Sequence, residues 1–304
     1  METLLADRSE RGKLALTGPD RKPFLNGQVT NDVEALEPGT GLYAAFLTHK
    51  GKMLGDVRVL DADDELLLDT ERVALQALFD LVRRFSLGHA VEIHKRTVET
   101  ALYSLLGPDA RAIAGVPDLP ATEHAHVAAA IGGRAARVVA TDAGVDVLCA
   151  AQDADAVREA LVAAGAVPTT EDGAEVLRVE AGRPRYGLDL DDSVIPQEAG
   201  LNERAVSFTK GCYVGQETVA RLFYKGKPNR HLRGLRLSAP VDPGVPLALA
   251  DKEVGRVGSA VVSPTLGPIA LALVRREASP GDVVRVGDDG VTAEVVELPF
   301  AGAA

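Results

Sequence analysis

The last quarter of the chain constrains the fold most, because short apolar stretches alternate there with turns rich in proline, glycine and aspartate. Short strands at such a spacing are typical of an all-β domain. We therefore predict a closed or sandwich-like β domain of about 75 residues after Pro228. Its six predicted strands cover residues 232–237, 245–250, 253–262, 269–274, 283–286 and 291–298.

The preceding residues mix strand and helix patterns. A strand-like stretch at 13–18 precedes a helix that opens at Pro19 and carries apolar residues to Leu36. The next three strand-like stretches, at 43–47, 53–60 and 65–69, predict an antiparallel meander. Apolar residues at helical spacing predict a second helix over 73–85. The segment 98–168 has strand candidates and two helices, so the chain as a whole is predicted to be α+β.

The charge of the chain is acidic overall but basic in one window. The net charge is −11, which argues against broad nucleic-acid or anionic-membrane binding. Residues 203–236 instead hold eight Lys/Arg against two acids. This window indicates either a local anion site or a solvated basic face, and an RNA-binding interpretation rests on it alone. No apolar run resembles a signal peptide or a membrane span, so we predict a cytoplasmic protein.

The two cysteines, Cys149 and Cys212, belong to no CxxC pair and no spaced Cys/His cluster. A disulfide framework and a metal site are therefore not predicted. Cys149 lies in a strand-like stretch and is predicted to be in the core. The chain also lacks the GxxxxGK[ST], HExxH and GxSxG motifs, which disfavours nucleotide-dependent, zincin and α/β-hydrolase chemistry.

Cys212 stands in the stretch KGCYVGQE at 210–217. The flanking glycines allow close approach to a partner, while Lys210 and a following helix end favour a thiolate. A functional thiol and a cysteine packed in a tight turn are both compatible with this pattern. No histidine is singled out as a partner, so a Cys/His protease is disfavoured.

Three further polar residues are candidates for a binding site. Glu198 lies in a Pro-x-Glu-Ala-Gly frame, where a carboxylate can grip two parallel N–H groups of a heterocycle. A surface glutamate in a loop is the alternative. Asn31 and Asp56 are the other candidates, and for Asp56 an outward-facing strand residue is the alternative interpretation.

Several stretches together resemble the YgfZ family, folate-binding proteins related to the T-protein aminomethyltransferase of the glycine cleavage system. The central one is KGCYVGQE at 210–217. The others are FLNGQVTNDV at 24–33, RVEAGRPRYG at 178–187, IPQEAGL at 195–201 and RHLRGL at 230–235. They occur towards both ends of the chain in the family's order, whereas the middle segment carries no recognisable motif.

The resemblance implies a three-part ring arrangement, with tetrahydrofolate in a central hole and a C-terminal antiparallel β-barrel. It implies a discontinuous folate-binding α+β domain over 1–97 and 169–228. Residues 98–168 would form an inserted, ferredoxin-like α+β unit, and residues 229–304 the barrel. On this basis Glu198 grips the pterin, Tyr186, Arg221 and Arg230 line the pocket, and Asn31 and Asp56 also face the folate.

The role implied by the family is folate-dependent support of iron–sulfur cluster assembly or repair, with effects on iron–sulfur tRNA-modifying enzymes. Cys212 and Lys210 match its functional positions, and client proteins or assembly factors would be the partners. A folate-dependent aminomethyltransferase or other one-carbon transferase is the alternative. The sequence departs from the transferases at Gly55-Asp56, where those enzymes carry two aspartates, so a working aminomethyltransferase is not the first expectation.

Overall fold

The computed structural model describes residues 2–300, which form two compact units. The first unit comprises residues 2–47, Leu54–Ala174 and Arg204–Val214. The second unit comprises Thr48–Met53, Glu175–Glu203 and residues 215–300. No helix within residues 2–300 is long and apolar enough to cross a membrane.

Seventeen strands and seven α-helices follow one another along residues 2–300. They are β1 (Leu4–Asp7), β2 (Gly12–Thr17), α1 (Arg21–Gln28), β3 (Gly41–Leu47), β4 (Met53–Asp61), β5 (Glu65–Thr70), α2 (Leu75–Phe85), β6 (Glu92–Lys95), β7 (Thr100–Leu106), α3 (Ala110–Ile113), β8 (His126–Ile131), β9 (Arg134–Thr141), β10 (Gly144–Ala150), α4 (Ala154–Ala163), β11 (Val167–Thr169), α5 (Glu171–Glu180), α6 (Asn202–Ala205), α7 (Gln216–Lys225), β12 (Arg230–Leu237), β13 (Pro246–Leu249), β14 (Lys252–Ser263), β15 (Gly267–Arg275), β16 (Val283–Val286) and β17 (Val291–Val296).

A five-stranded sheet in the first unit has the order β3-β4-β5-β2-β6. Helix α2 packs closely on it, because a Cβ added at Gly12 would lie 2.9 Å from Cβ of Leu75. Helix α1 ends at Gln28, earlier than the apolar pattern predicts. The following residues turn back instead, since the Asn26 side chain accepts a hydrogen bond from the backbone N–H of Val33 at 2.9 Å.

A six-stranded sheet, also in the first unit, has the order β11-β1-β7-β10-β9-β8. Its core includes Leu105, Val138 and Leu161. Cys149 is buried in this core, as predicted. Strand β8 has the sequence HVAAAI, and its alanines give little β propensity from which to predict a strand.

The two sheets of the first unit share an apolar contact and a charged one. Leu60, Leu102, Val139 and Leu148 form a buried cluster that includes residues of both sheets. Beside it, Nη1 of Arg58 on β4 lies 2.5 Å from Oδ2 of Asp146 on β10. Because Arg58 is buried, its guanidinium needs an acidic partner to offset the loss of its hydration.

The second unit contains a closed six-stranded barrel in the order β12-β15-β14-β13-β16-β17. Each of the six predicted strands overlaps one of these strands, and the barrel interior includes Leu235, Leu247 and Val295. The α+β fold with a C-terminal antiparallel barrel is thus confirmed. The three-domain division by residue number stays a prediction.

A polar network holds residues 182–200 on the barrel. The Asp189 carboxylate accepts hydrogen bonds from the backbone N–H of Ser259 at 2.7 Å and from Nη1 of Arg178 at 3.0 Å. A Cβ at Gly258 would lie 2.5 Å from Oδ1 of Asp189, so only glycine allows this approach. The loop that carries Glu198 is therefore fixed at Asp189 to α5 and β14.

Candidate functional site

The candidate residues fall into two groups, one in each unit. Asn31, Asp56, Lys210 and Cys212 belong to the first unit. The second unit contains the other four, Tyr186, Glu198, Arg221 and Arg230. Each group is described by its own contacts.

Asp56 on β4 is buried, with 5% of its surface exposed, so the outward-facing alternative is wrong. The hydroxyl of Tyr43 on the neighbouring strand β3 donates a 2.5 Å hydrogen bond to Oδ2 of Asp56. Burial raises the pKa of Asp56 to about 6; the Tyr43 hydrogen bond and Arg11 lower it, and Glu71 raises it. A carboxyl group that titrates near neutral pH is suited to general acid–base chemistry.

A cluster of charged residues that the sequence analysis did not identify lies close to Asp56. Arg11 pairs with Glu71 and, at 2.7 Å, with Asp69. Asp69 also lies 2.5 Å from Nη2 of Arg58. Burial alone would raise the pKa of Asp69, but the two arginines outweigh it and lower that pKa to about 2. Asp69 therefore stays ionised, whereas Asp56 is able to exchange a proton near pH 6.

The side chain of Asn31 links β3 to the segment at Arg204 by hydrogen bonds. Its Nδ2 donates to the backbone carbonyls of Tyr43 at 2.9 Å and Arg204 at 3.2 Å, and its Oδ1 accepts from the N–H of Asp32 at 2.9 Å. The Arg204 guanidinium lies over the Tyr43 ring, 5.2 Å from its centroid. Asn31 thus has a structural role here, and the predicted folate contact stays a prediction.

Lys210 is 8% exposed, and its ammonium group is surrounded by backbone carbonyls. Nζ donates to the carbonyls of Asn26 at 2.5 Å, Asn31 at 2.7 Å and Val29 at 2.9 Å. Burial lowers the pKa of Lys210 to about 8, against the opposing effect of nearby Asp32 and Glu34. All three N–H groups are used to close the turn after α1, so activation of the Cys212 thiol by Lys210 stays a prediction.

Cys212 is exposed, whereas Cys149 is buried. The alternative of a cysteine packed in a tight turn is therefore wrong for Cys212. Tyr213 beside it is buried, and Nζ of Lys210 lies 5.3 Å from the centroid of the Tyr213 ring. The chain therefore turns between an inward tyrosine and an outward thiol, which leaves the thiol accessible to reagents or partners.

Glu198 in the second unit is 5% exposed and is not a surface glutamate. Arg230 grips both of its oxygens, with Nε 3.2 Å from Oε1 and Nη2 2.9 Å from Oε2. Oε2 also accepts from the backbone N–H of Ile195 at 3.1 Å. Lys52, which sequence reasoning missed, places Nζ 2.6 Å from the Ser193 carbonyl and 3.9 Å from Oε2 of Glu198.

The remaining two candidates lie in different settings of the second unit. Tyr186 is half-buried and forms an isolated β-bridge with Leu190. Arg221 is exposed on α7. Phe223 and Tyr224 on the same helix are also exposed and stack edge-to-face, with ring centroids 5.0 Å apart. These aromatic residues of the basic window are thus at the surface of the second unit.

Two family models match the chain. One, described as the GCVT N-terminal domain, matches residues 2–210. The other, described as the glycine cleavage T-protein C-terminal barrel domain, matches residues 230–301. The second match coincides with the six-stranded barrel.

Relatives match over nearly the whole chain. A chloroplastic protein of Arabidopsis thaliana, whose name proposes a transferase without a substrate, is 29% identical over 98% of this chain and 71% of its own. The aminomethyltransferase of Rubrobacter xylanophilus is 31% identical over 97% of this chain and 82% of its own. The crystal structure of glycine cleavage system aminomethyltransferase T from Bartonella henselae has a TM-score of 0.86 and 23% identity, over 99% of this chain and 86% of that one.

Proposed function

This chain belongs to the glycine cleavage T-protein family, and we propose that it binds a reduced folate, such as tetrahydrofolate, and acts on the one-carbon unit that the folate carries. The observation that carries this proposal is the buried Asp56 carboxyl group, which accepts a 2.5 Å hydrogen bond from the Tyr43 hydroxyl. Burial raises its pKa to about 6. Transfer of a one-carbon unit to or from a folate nitrogen requires a group that takes up and releases a proton. Such a group works best when its pKa lies near the working pH.

The transferases carry an aspartate where this chain has Gly55, but this difference leaves the Asp56 carboxyl group in place. Successive residues of a strand point to opposite faces. Gly55 faces α2, where an added Cβ would lie 3.0 Å from Cβ of Ala74 and 3.0 Å from Cδ1 of Leu78. Asp56 faces Tyr43 on the other side. The missing aspartate therefore belongs to the face covered by α2, and this supports the transferase interpretation more than the sequence alone did.

The contacts of Glu198 support the proposal that it binds the pterin ring of the folate. Arg230 orients the carboxylate by donating one hydrogen bond to each of its oxygens. A carboxylate oxygen accepts about two hydrogen bonds. Oε1 thus has capacity for a ring N–H, whereas Oε2 already accepts from Ile195 as well.

Calorimetric titration with tetrahydrofolate tests this function. We expect saturable binding to the wild type and about tenfold to a hundredfold weaker binding to Glu198→Gln, since one charge-assisted hydrogen bond contributes about 1.5–3 kcal/mol. Glu203→Gln is the matched control, because Glu203 is exposed. Absence of binding by the wild type would refute the proposed function, and equal affinity of the Glu198 variant would remove Glu198 from the pterin site.

A second candidate function is folate-dependent maintenance of iron–sulfur clusters, as in the YgfZ family. The exposed Cys212 within KGCYVGQE favours it. An accessible thiol is able to contact a client protein, an assembly factor or a cluster, whereas the proton chemistry of one-carbon transfer does not require a cysteine. Effects on iron–sulfur tRNA-modifying enzymes would follow indirectly.

A complementation experiment separates this candidate from the transferase. In cells that lack the protein, iron–sulfur enzyme activity should fall, and wild type and Cys149→Ala should restore it. We expect Cys212→Ala to fail, with at least a severalfold lower activity, although it binds tetrahydrofolate normally. Full restoration by the Cys212 variant would exclude a role for the thiol.

A further inference from the structure

Tyr43 lies at the junction of three contacts in the first unit. Its hydroxyl donates to Asp56, its backbone carbonyl accepts from Asn31, and its ring lies under Arg204. Arg204 is itself ion-paired with Glu123. The tyrosine is therefore held at its main chain, its ring and its hydroxyl, which leaves it little freedom to adopt another rotamer.

We propose, on the basis of the function proposed above, that Tyr43 is a positioning residue for Asp56, held by Asn31 and Arg204, and that its hydroxyl sets both the orientation and the proton affinity of that carboxyl group. A hydrogen bond donated to a carboxylate stabilises the charged form. A short bond of 2.5 Å to Oδ2 also fixes the plane of the carboxyl group. A substrate nitrogen would then meet the carboxyl group in one orientation.

Other groups act on Asp56 from the neighbouring elements. Glu71, which follows β5, disfavours the carboxylate, and Arg11, which precedes β2, favours it. Arg11 is shared with Asp69 and Glu71 through ion pairs. The Tyr43 hydroxyl is thus the uncharged group that lowers the pKa of Asp56, whereas the charges of Glu71 and Arg11 act on it in opposite directions. Removing the hydroxyl should make Asp56 harder to ionise, and removing the charge of Glu71 should make it easier.

The test follows the titration of Asp56 by NMR, with carbon-13 at the aspartate carboxyl carbons and Asp56→Asn to assign the signal. We expect the midpoint, near pH 6 in the wild type, to rise by about one pH unit in Tyr43→Phe. In Glu71→Gln it should fall. Tyr103→Phe is the matched control, because Tyr103 lies on β7 and its hydroxyl donates to the carbonyl of Ala154 on α4 at 3.2 Å. This variant should leave the midpoint unchanged.

A general loss of folding cannot move the Asp56 midpoint in opposite directions in two variants. The pair Tyr43→Phe and Glu71→Gln therefore separates a positioning role of Tyr43 from simple destabilisation of the fold. An unchanged or lowered midpoint in Tyr43→Phe would overturn the proposal. The titration needs no folate. A raised midpoint in a protein that binds no tetrahydrofolate would therefore refute the proposed function and leave the link between Tyr43 and Asp56 intact.

Discussion

Replacing Lys210 with methionine is expected to lower the free energy of unfolding by about 4 kcal/mol, because three backbone carbonyls would lose their hydrogen-bond partner. A buried carbonyl left without a partner costs about 1–3 kcal/mol. Methionine keeps the apolar length of the side chain, so the variant isolates the ammonium group. The midpoint of chemical denaturation measures the loss.

Lys50→Met is the matched control for this experiment, because Lys50 is exposed in the turn between β3 and β4. We expect it to change stability by less than about 0.5 kcal/mol. Alkylation of Cys212 gives a second readout. Unchanged stability of Lys210→Met together with slower alkylation would contradict the structural role and favour the activating role predicted from the sequence.

Asp56→Asn is expected to reduce one-carbon transfer by about 10²–10⁴-fold, the usual contribution of a positioned general acid or base. Asparagine has the same shape and still accepts the Tyr43 hydrogen bond, so tetrahydrofolate binding should change little. Turnover of an aminomethylated carrier with tetrahydrofolate measures the effect. Asp64→Asn, an exposed aspartate in the turn after β4, is the matched control.

The pH dependence of the same reaction follows from the raised pKa of Asp56. As the ionised base, Asp56 loses activity when protonated, so the wild-type rate should fall as the pH drops through about 6. The Asn variant should lack this acidic limb. Equal rates of wild type and variant would exclude Asp56 as the proton carrier. Tight folate binding without any turnover by the wild type would reject the transferase and leave iron–sulfur maintenance.

Much of the fold could be predicted from local patterns. The six barrel strands and helix α2 follow from the spacing of apolar and turn residues, because burial repeats with the period of each element. Strand β8 was missed, since its run of alanines has neither strong alternation nor β-branched residues. Helix α1 was predicted too long, since the turn after it depends on the side chain of Asn26.

The candidate site could be predicted only in part. The residues Glu198, Asp56 and Cys212 stand in recognisable local frames. Their pairing with neighbours could not be predicted, because Arg230 lies 32 residues beyond Glu198 and Tyr43 lies 13 residues before Asp56 on another strand. No spacing rule connects such pairs before the sheet and the barrel have formed.

The stretch KGCYVGQE shows most directly what the sequence determines and what only the tertiary structure decides. By itself the sequence determined that a cysteine stands in a glycine-rich turn beside a lysine, and that a β domain follows. Only the tertiary structure decided that the thiol is exposed and that the ammonium of Lys210 is used by carbonyls about 180 residues earlier in the chain. Local sequence sets backbone preference and periodicity, whereas burial and hydrogen-bond partners, and with them the pKa values, depend on groups that meet only in the folded chain.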